Sequence, residues 1–150
     1  VETSEVNITE TLTSEGPYFS GANSFMSDYK VDLNNLVSEK TIEAENISSV
    51  KLNEAVISIP EGGAISFDQF VSATLQMVSD DLSMTTIAIL NPLPMDQSNT
   101  IKLVVSESAE LGEYFKEPNF TILLDLDFKE DDYSEAMSFD LDLTLNVEHK

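Results

Sequence analysis

The sequence has no cysteine, tryptophan or arginine, and one histidine among its 150 residues. Without cysteine it can form no disulfide, thiolate nucleophile or cysteine-ligated metal site. Without arginine it lacks the planar donor that binds phosphates and carboxylates through paired hydrogen bonds. His149 lies one residue from the C-terminus, where chains commonly fray, so neither a Ser-His-Asp triad nor a histidine zinc site is expected. We therefore expect no enzymatic activity.

Charge of one sign is also scarce, because 28 acidic residues face 7 lysines and the net charge is −21. Such a chain repels nucleic acids and anionic membrane surfaces. No run of 18 apolar residues occurs, so no membrane span is expected. The acidic excess is typical of a saline or extracellular setting. Because 41% of the residues are hydrophobic, the chain has a globular composition in spite of its charge.

Apolar residues alternate with polar ones along most of the chain, and turn residues separate the runs. This pattern predicts an all-β domain spanning 1–150, with seven to nine strands and one or two short helices. Two antiparallel sheets packed as a β-sandwich, immunoglobulin-like or jelly-roll-like, fit it best. A closed barrel is the alternative.

Three local features refine this prediction. The parity of the apolar positions switches near Asn53 and Glu54, which indicates a β-bulge. The sequence FDQF at 67–70 indicates a helical turn between strand segments. A short helix is predicted over 108–118, capped by Ser108, with its apolar residues on one face. Those residues are Leu111, Tyr114 and Phe115.

The two longest alternating runs, 120–128 and 137–147, predict a final β-hairpin with its apolar residues on the core face. One register that meets this requirement pairs Asp125 with Asp140 and puts Asp127 and Asp142 on neighbouring diagonals, and a register two residues away still leaves the four carboxylates on one outer face. Like charges directly opposite each other are destabilising, by roughly 0.2–1 kcal/mol. The outer face of the hairpin therefore needs an explanation.

Three interpretations of this acidic face remain open. It can be a solvated surface, a site for a hard cation such as Ca²⁺, or a contact surface for a basic protein partner. The metal ligands in the second case would be Asp125, Asp127, Asp140 and Asp142. The acidic loop 129–136 and an aromatic pair near the N-terminus supply further candidates for partner or ligand contacts. These are Asp131, Asp132, Tyr133, Tyr18 and Phe19.

The order of elements resembles a known group of proteins. Ile47, Val50 and Leu52 fit a long "I-x-S-V-K-L" strand, Phe67 and Phe70 an "F-x-x-F" turn, and the segment from Leu111 a late "L-x-x-Y-F" helix. Together with a long final hairpin, these are similar to small secreted or lipid-anchored β-sandwich domains of unknown function common in Bacteroidota. The resemblance implies an extracellular, cell-surface or periplasmic location, and it allows a lipid anchor in the precursor.

These observations predict a non-catalytic, exported accessory or binding module of the cell envelope, acting through protein–protein contacts. One alternative is a β-barrel carrier of a small hydrophobic ligand, which needs an unfilled apolar pocket. Another is a calcium-dependent carbohydrate-binding module, which needs aromatic residues exposed together on one face.

Overall fold

The computed structural model describes residues 1–14, 17–37, 41–60, 66–94, 99–130 and 137–150. Those ranges form nine β-strands and three short 3₁₀ helices, so the prediction of an all-β antiparallel fold with short helices is confirmed. The strands are β1 (Glu2–Ser14), β2 (Gly21–Lys30), β3 (Ile47–Ser58), β4 (Phe70–Val78), β5 (Thr85–Leu90), β6 (Thr100–Lys102), β7 (Val104–Val105), β8 (Asn119–Phe128) and β9 (Met137–His149). The helices are Ala44–Asn46, Phe67–Gln69 and Tyr114–Lys116.

The strands form one nearly closed sheet in the order β6-β3-β9-β1-β2-β8-β4-β5-β7. Its two end strands, β6 and β7, follow each other in the chain. The amide of Leu103 donates to the Ala55 carbonyl of β3, and the amide of Ser106 to the Ile87 carbonyl of β5. Residues 100–106 therefore connect the two ends of the sheet.

The core follows from the alternation of apolar residues. Every even-numbered residue of β8 from 120 to 128 and every odd-numbered residue of β9 from 137 to 149 is buried. Aromatic rings pack in the interior: the Phe70 and Phe128 rings lie 4.8 Å apart, and the Phe25 and Phe139 rings 5.0 Å apart. Such ring contacts fill the centre with side chains.

The predicted β8–β9 hairpin is wrong. β8 pairs with β2 and β4, whereas β9 pairs with β1 and β3. Two strands, β1 and β2, therefore lie between them in the sheet. Alternation fixes which face a residue occupies but does not choose a neighbour, because the other strands carry the same pattern.

The local predictions have mixed outcomes. The bulge is confirmed by the register shift between Leu52 and Glu54 against β9. The turn at 67–70 is a 3₁₀ helix with a Ser66 capping box. The helix over 108–118 is wrong in extent, since only Tyr114–Lys116 is helical and Ser108 caps nothing. Its three apolar residues are nevertheless buried as predicted.

Candidate binding surface

The outer face of the sheet pairs its aspartates mainly with small and hydroxyl-bearing neighbours. Asp125 of β8 lies between Ser24 and Thr74, and the Ser24 hydroxyl donates to it at 2.6 Å. Asp140 of β9 lies between Thr11 and Ser58. The like-charge pairing that the hairpin implied therefore does not occur.

The remaining two aspartates follow the same rule. Asp127 is opposite Ala22 and Ser72, and Asp142 is opposite Thr9 and Val56. The prediction that all four carboxylates form one cation cluster is wrong, because two lie on β8 and two on β9, with β1 and β2 between. Within the described ranges, no three His, Cys, Asp or Glu residues are placed to hold a metal ion.

A groove of about 640 Å³ lies on the outer face of β1, β9 and β3. Two carboxylates, Asp140 and Asp142, give it negative charge. Thr11 Oγ1 donates to Asp140 at 3.2 Å, and the Asn7 amide donates to Asp142. The described residues that line the groove include no basic residue. The lining consists of Thr9, Glu10, Thr11, Ser58, Asp140, Leu141 and Asp142.

Glu10 marks the place where β1 and β2 separate. Its even number places it on the core side of β1, like the buried residues of that strand, but it is only partly buried. It accepts a hydrogen bond from the Ser27 hydroxyl at 2.9 Å. Partial burial raises the pKa of the neighbouring Tyr29, and the negative charges of Glu10 and Asp32 raise it further. Burial and these two carboxylates therefore disfavour the ionised form of Tyr29.

The hydroxyl-bearing half of the groove could not be found by searching for acidic runs. Thr9, Thr11 and Ser58 are polar residues at outward positions of unremarkable strands. Only the register between β1, β9 and β3 brings them beside Asp140 and Asp142. The alternating threonines of β1 were the available signal, and they indicate an exposed strand face without indicating its neighbour.

The residues predicted to contact a partner or ligand have three different outcomes. Tyr18 as an exposed contact is wrong, because it is 2% exposed, stacks on Phe128 at 5.2 Å and accepts a hydrogen bond from the Met137 amide. Phe19 is 61% exposed and remains a candidate. Tyr133, Asp131 and Asp132 lie outside the described residues.

His149 is not at a frayed end. It is 2% exposed, β9 pairs on both sides at this position, and its Nε2 lies 2.9 Å from the Ser4 hydroxyl. Across the described residues, no helix has the length and apolar character needed to span a bilayer.

No protein-family model matches the chain, and no curated protein sequence matches it. Among solved structures, it is similar to the decameric BFDV capsid protein, with a TM-score of 0.44 and 11% identity over 99% of both chains. It is similar to a carbohydrate-binding module of the β-sandwich superfamily, with a TM-score of 0.33 and 12% identity over 99% of this chain and 54% of the other. It is also similar to a chain of turnip yellow mosaic virus, with a TM-score of 0.26 and 11% identity over 97% of this chain and 82% of the other. At these scores, function has to be argued from the chain's own surface.

Proposed function

We propose that this chain is a non-catalytic binding module that holds a cationic protein partner in the groove of β1, β9 and β3. The observation that carries the proposal is the groove itself, in which Asp140 and Asp142 lie among hydroxyl groups without a basic lining residue. Carboxylates in this arrangement offer acceptors to lysine ammonium or arginine guanidinium groups.

Lys102 does not neutralise this surface. Lys102 occupies the same row of the sheet as Asp142, with Val56 between them. Its ammonium group lies 3.4 Å from Glu54, and its side chain is 68% exposed. The net charge of −21 adds a long-range attraction that speeds the approach of a basic partner.

The proposal also covers setting and architecture. We place the module outside the cytoplasm, in the cell envelope or on the cell surface, because its acidic excess suits such a setting. We also treat the halves β6-β3-β9-β1 and β2-β8-β4-β5-β7 as the two layers of a β-sandwich. The halves are joined between β1 and β2 by one residue pair, Thr13 and Met26, which supports this division.

The alternative of a hydrophobic-ligand carrier has less support. A carrier keeps an apolar interior of roughly 300 Å³ or more unfilled. Here Phe25, Phe128 and Tyr18 stack on one another, and Phe70 and Phe139 pack beside them. The groove is instead outside the sheet and polar.

The test uses an acetylated, amidated octapeptide of alternating lysine and threonine, titrated into the protein at low salt by calorimetry. We expect Asp140→Asn with Asp142→Asn to weaken binding about tenfold. The matched control, Asp125→Asn with Asp127→Asn, removes the same charge from β8 and should change the affinity less than about twofold. Equal losses in both variants would show that only the net charge attracts the peptide, and would overturn the groove as the site. Absence of binding would overturn the proposed function.

A further inference from the structure

β1 has one side without a regular partner. It is a 13-residue strand with no proline, lysine or bulge, and it pairs with β9 along its whole length. On its other side, among the described residues, Thr13 and Met26 form the one ladder pair with β2, and the Ser27 hydroxyl of β2 reaches Glu10. Proteins commonly protect an edge strand of this length with a proline, a lysine or a bulge. The unprotected edge of β1 next to the groove is therefore suited to pairing.

The direction of its backbone groups follows from the ladder. The Ala55 carbonyl accepts from Leu103 of the β6–β7 segment, so Ala55 directs its backbone groups away from β9. Because Ala55 is opposite Leu143, Leu143 directs its own groups toward β1, where it is opposite Ile8. The even-numbered residues of β1 therefore bond to β9.

The odd-numbered residues of β1 direct their N–H and C=O groups to the free side. Thr3, Glu5, Asn7 and Thr9 are exposed, and their side chains lie on the same outer face as the groove. No hydrogen bond from these backbone groups reaches a described residue on the free side. They form a continuous template of donors and acceptors for one more strand.

Resting on the proposed function, we propose that the cationic partner binds as an extended segment that adds a strand to the free edge of β1. Its outward side chains would lie beside Asn7 and Thr9. Neighbouring strands are about 4.8 Å apart, so Asp142, which is opposite Thr9, lies about 10 Å away, two strands over. A lysine side chain spans most of that distance, and Glu5 lies directly beside the added strand.

Charge decides between this partner and a second copy of the chain. Only odd-numbered residues of β1 direct their backbone groups to this edge, so antiparallel pairing of two β1 strands centred on Glu5 brings Glu5 opposite Glu5. Such a pair of like charges is destabilising. Two chains of charge −21 also repel each other, whereas a segment with lysine at alternate positions is attracted by the same groups.

The test compares Thr9→Pro with Thr9→Val in the intact chain, using the octapeptide of alternating lysine and threonine. Both variants lose the hydroxyl and keep the charge, but only proline removes the amide that faces the free edge. We expect Thr9→Pro to bind about tenfold more weakly than Thr9→Val. Circular dichroism and thermal unfolding check that both variants fold.

A second experiment changes the peptide and leaves the protein unchanged, so it does not depend on whether a protein variant folds. Two octapeptides carry N-methyl groups either on all lysine amides or on all threonine amides. An added strand directs one alternate set of its amides at β1. We therefore expect one methylated peptide to bind with the affinity of the unmethylated peptide and the other to bind at least tenfold more weakly. Equal losses, or none, would overturn strand addition.

The outcomes separate the two proposals. Binding that depends on Asp140 and Asp142 but is insensitive to proline and to the methylation pattern keeps the proposed function and overturns strand addition. No binding by any octapeptide overturns both. A dimer at high salt that Thr9→Pro abolishes, without octapeptide binding, would assign the edge to a second copy instead.

Discussion

Hydroxyl and amide groups, more than opposite charges, accompany the carboxylates on the outer face. Glu110, in the segment between β7 and the last 3₁₀ helix, is held by such groups. It accepts hydrogen bonds from the Ser49 hydroxyl, the Val50 amide at 3.0 Å and the Gly112 amide at 2.7 Å. These bonds hold the segment before the last 3₁₀ helix against β3. A Cβ at position 112 would lie 2.9 Å from Glu110 Oε2, so the approach favours glycine.

The same contacts determine how Glu110 titrates. Partial burial acts to raise its pKa, but the three hydrogen bonds and the positive charge of Lys51 outweigh burial and lower the pKa. The folded state therefore binds this proton more weakly than the unfolded state does. The resulting stability is fully present above the ordinary glutamate pKa of about 4.3 and is lost as the pH falls through the folded-state value.

We expect Glu110→Gln to lower the free energy of unfolding at pH 7 by about 1 kcal/mol, the typical contribution of a hydrogen bond. Glu107→Gln removes the same charge from an exposed position of the same segment and serves as the control. Urea unfolding should show the gap between parent and Glu110→Gln shrinking from about pH 5 to about pH 3. A gap that is constant with pH would contradict the role of the ionised carboxylate.

At the scale of elements, the sequence predicts faces well and neighbours poorly. Alternation identified the buried side of β8 and β9, and a parity switch located the bulge at Leu52 and Glu54. The same alternation could not show that β1 and β2 lie between the last two strands. Strand partners depend on long-range packing, which the period of one strand does not encode. Half of the groove was missed for this reason.

The strand order can be tested directly, because the chain has no cysteine. Thr11 and Asp140 are directly opposite each other. Since the even-numbered residues of β1 bond to β9, this is a non-hydrogen-bonded pair, with Cα atoms about 4.5 Å apart, within the range of a disulfide. We expect Thr11→Cys with Asp140→Cys to crosslink under mild oxidation, as seen by a mobility shift without reductant. Asp125→Cys with Asp140→Cys should stay reduced, and efficient crosslinking there would restore the β8–β9 hairpin.

At the scale of the whole molecule, a nearly closed and well-packed sheet carries a large uncompensated charge. Ion pairs such as Lys102–Glu54 and Lys116–Glu113 are exposed, and pairs of that kind contribute about 0–1 kcal/mol each. Burial of the core therefore supplies the stability, and charge repulsion across the surface opposes it. The cost of that repulsion depends on salt. It also opposes the pairing of two copies along the proposed free edge of β1.

We therefore expect the melting temperature to rise by roughly 4 °C between 10 mM and 500 mM NaCl, because the screening length falls from about 30 Å to about 4 Å. Calcium chloride should raise the melting temperature no more than sodium chloride of matched ionic strength does. Asp125 and Asp140 lie on strands that are three strand spacings, about 14 Å, apart across the sheet, whereas Ca²⁺ binds oxygen ligands at about 2.3–2.6 Å. A calcium shift beyond the salt control, lost in Asp140→Asn with Asp142→Asn, would show that this pair holds a cation with further ligands. A flat response to sodium chloride would contradict the repulsion on which the attraction of a basic partner depends.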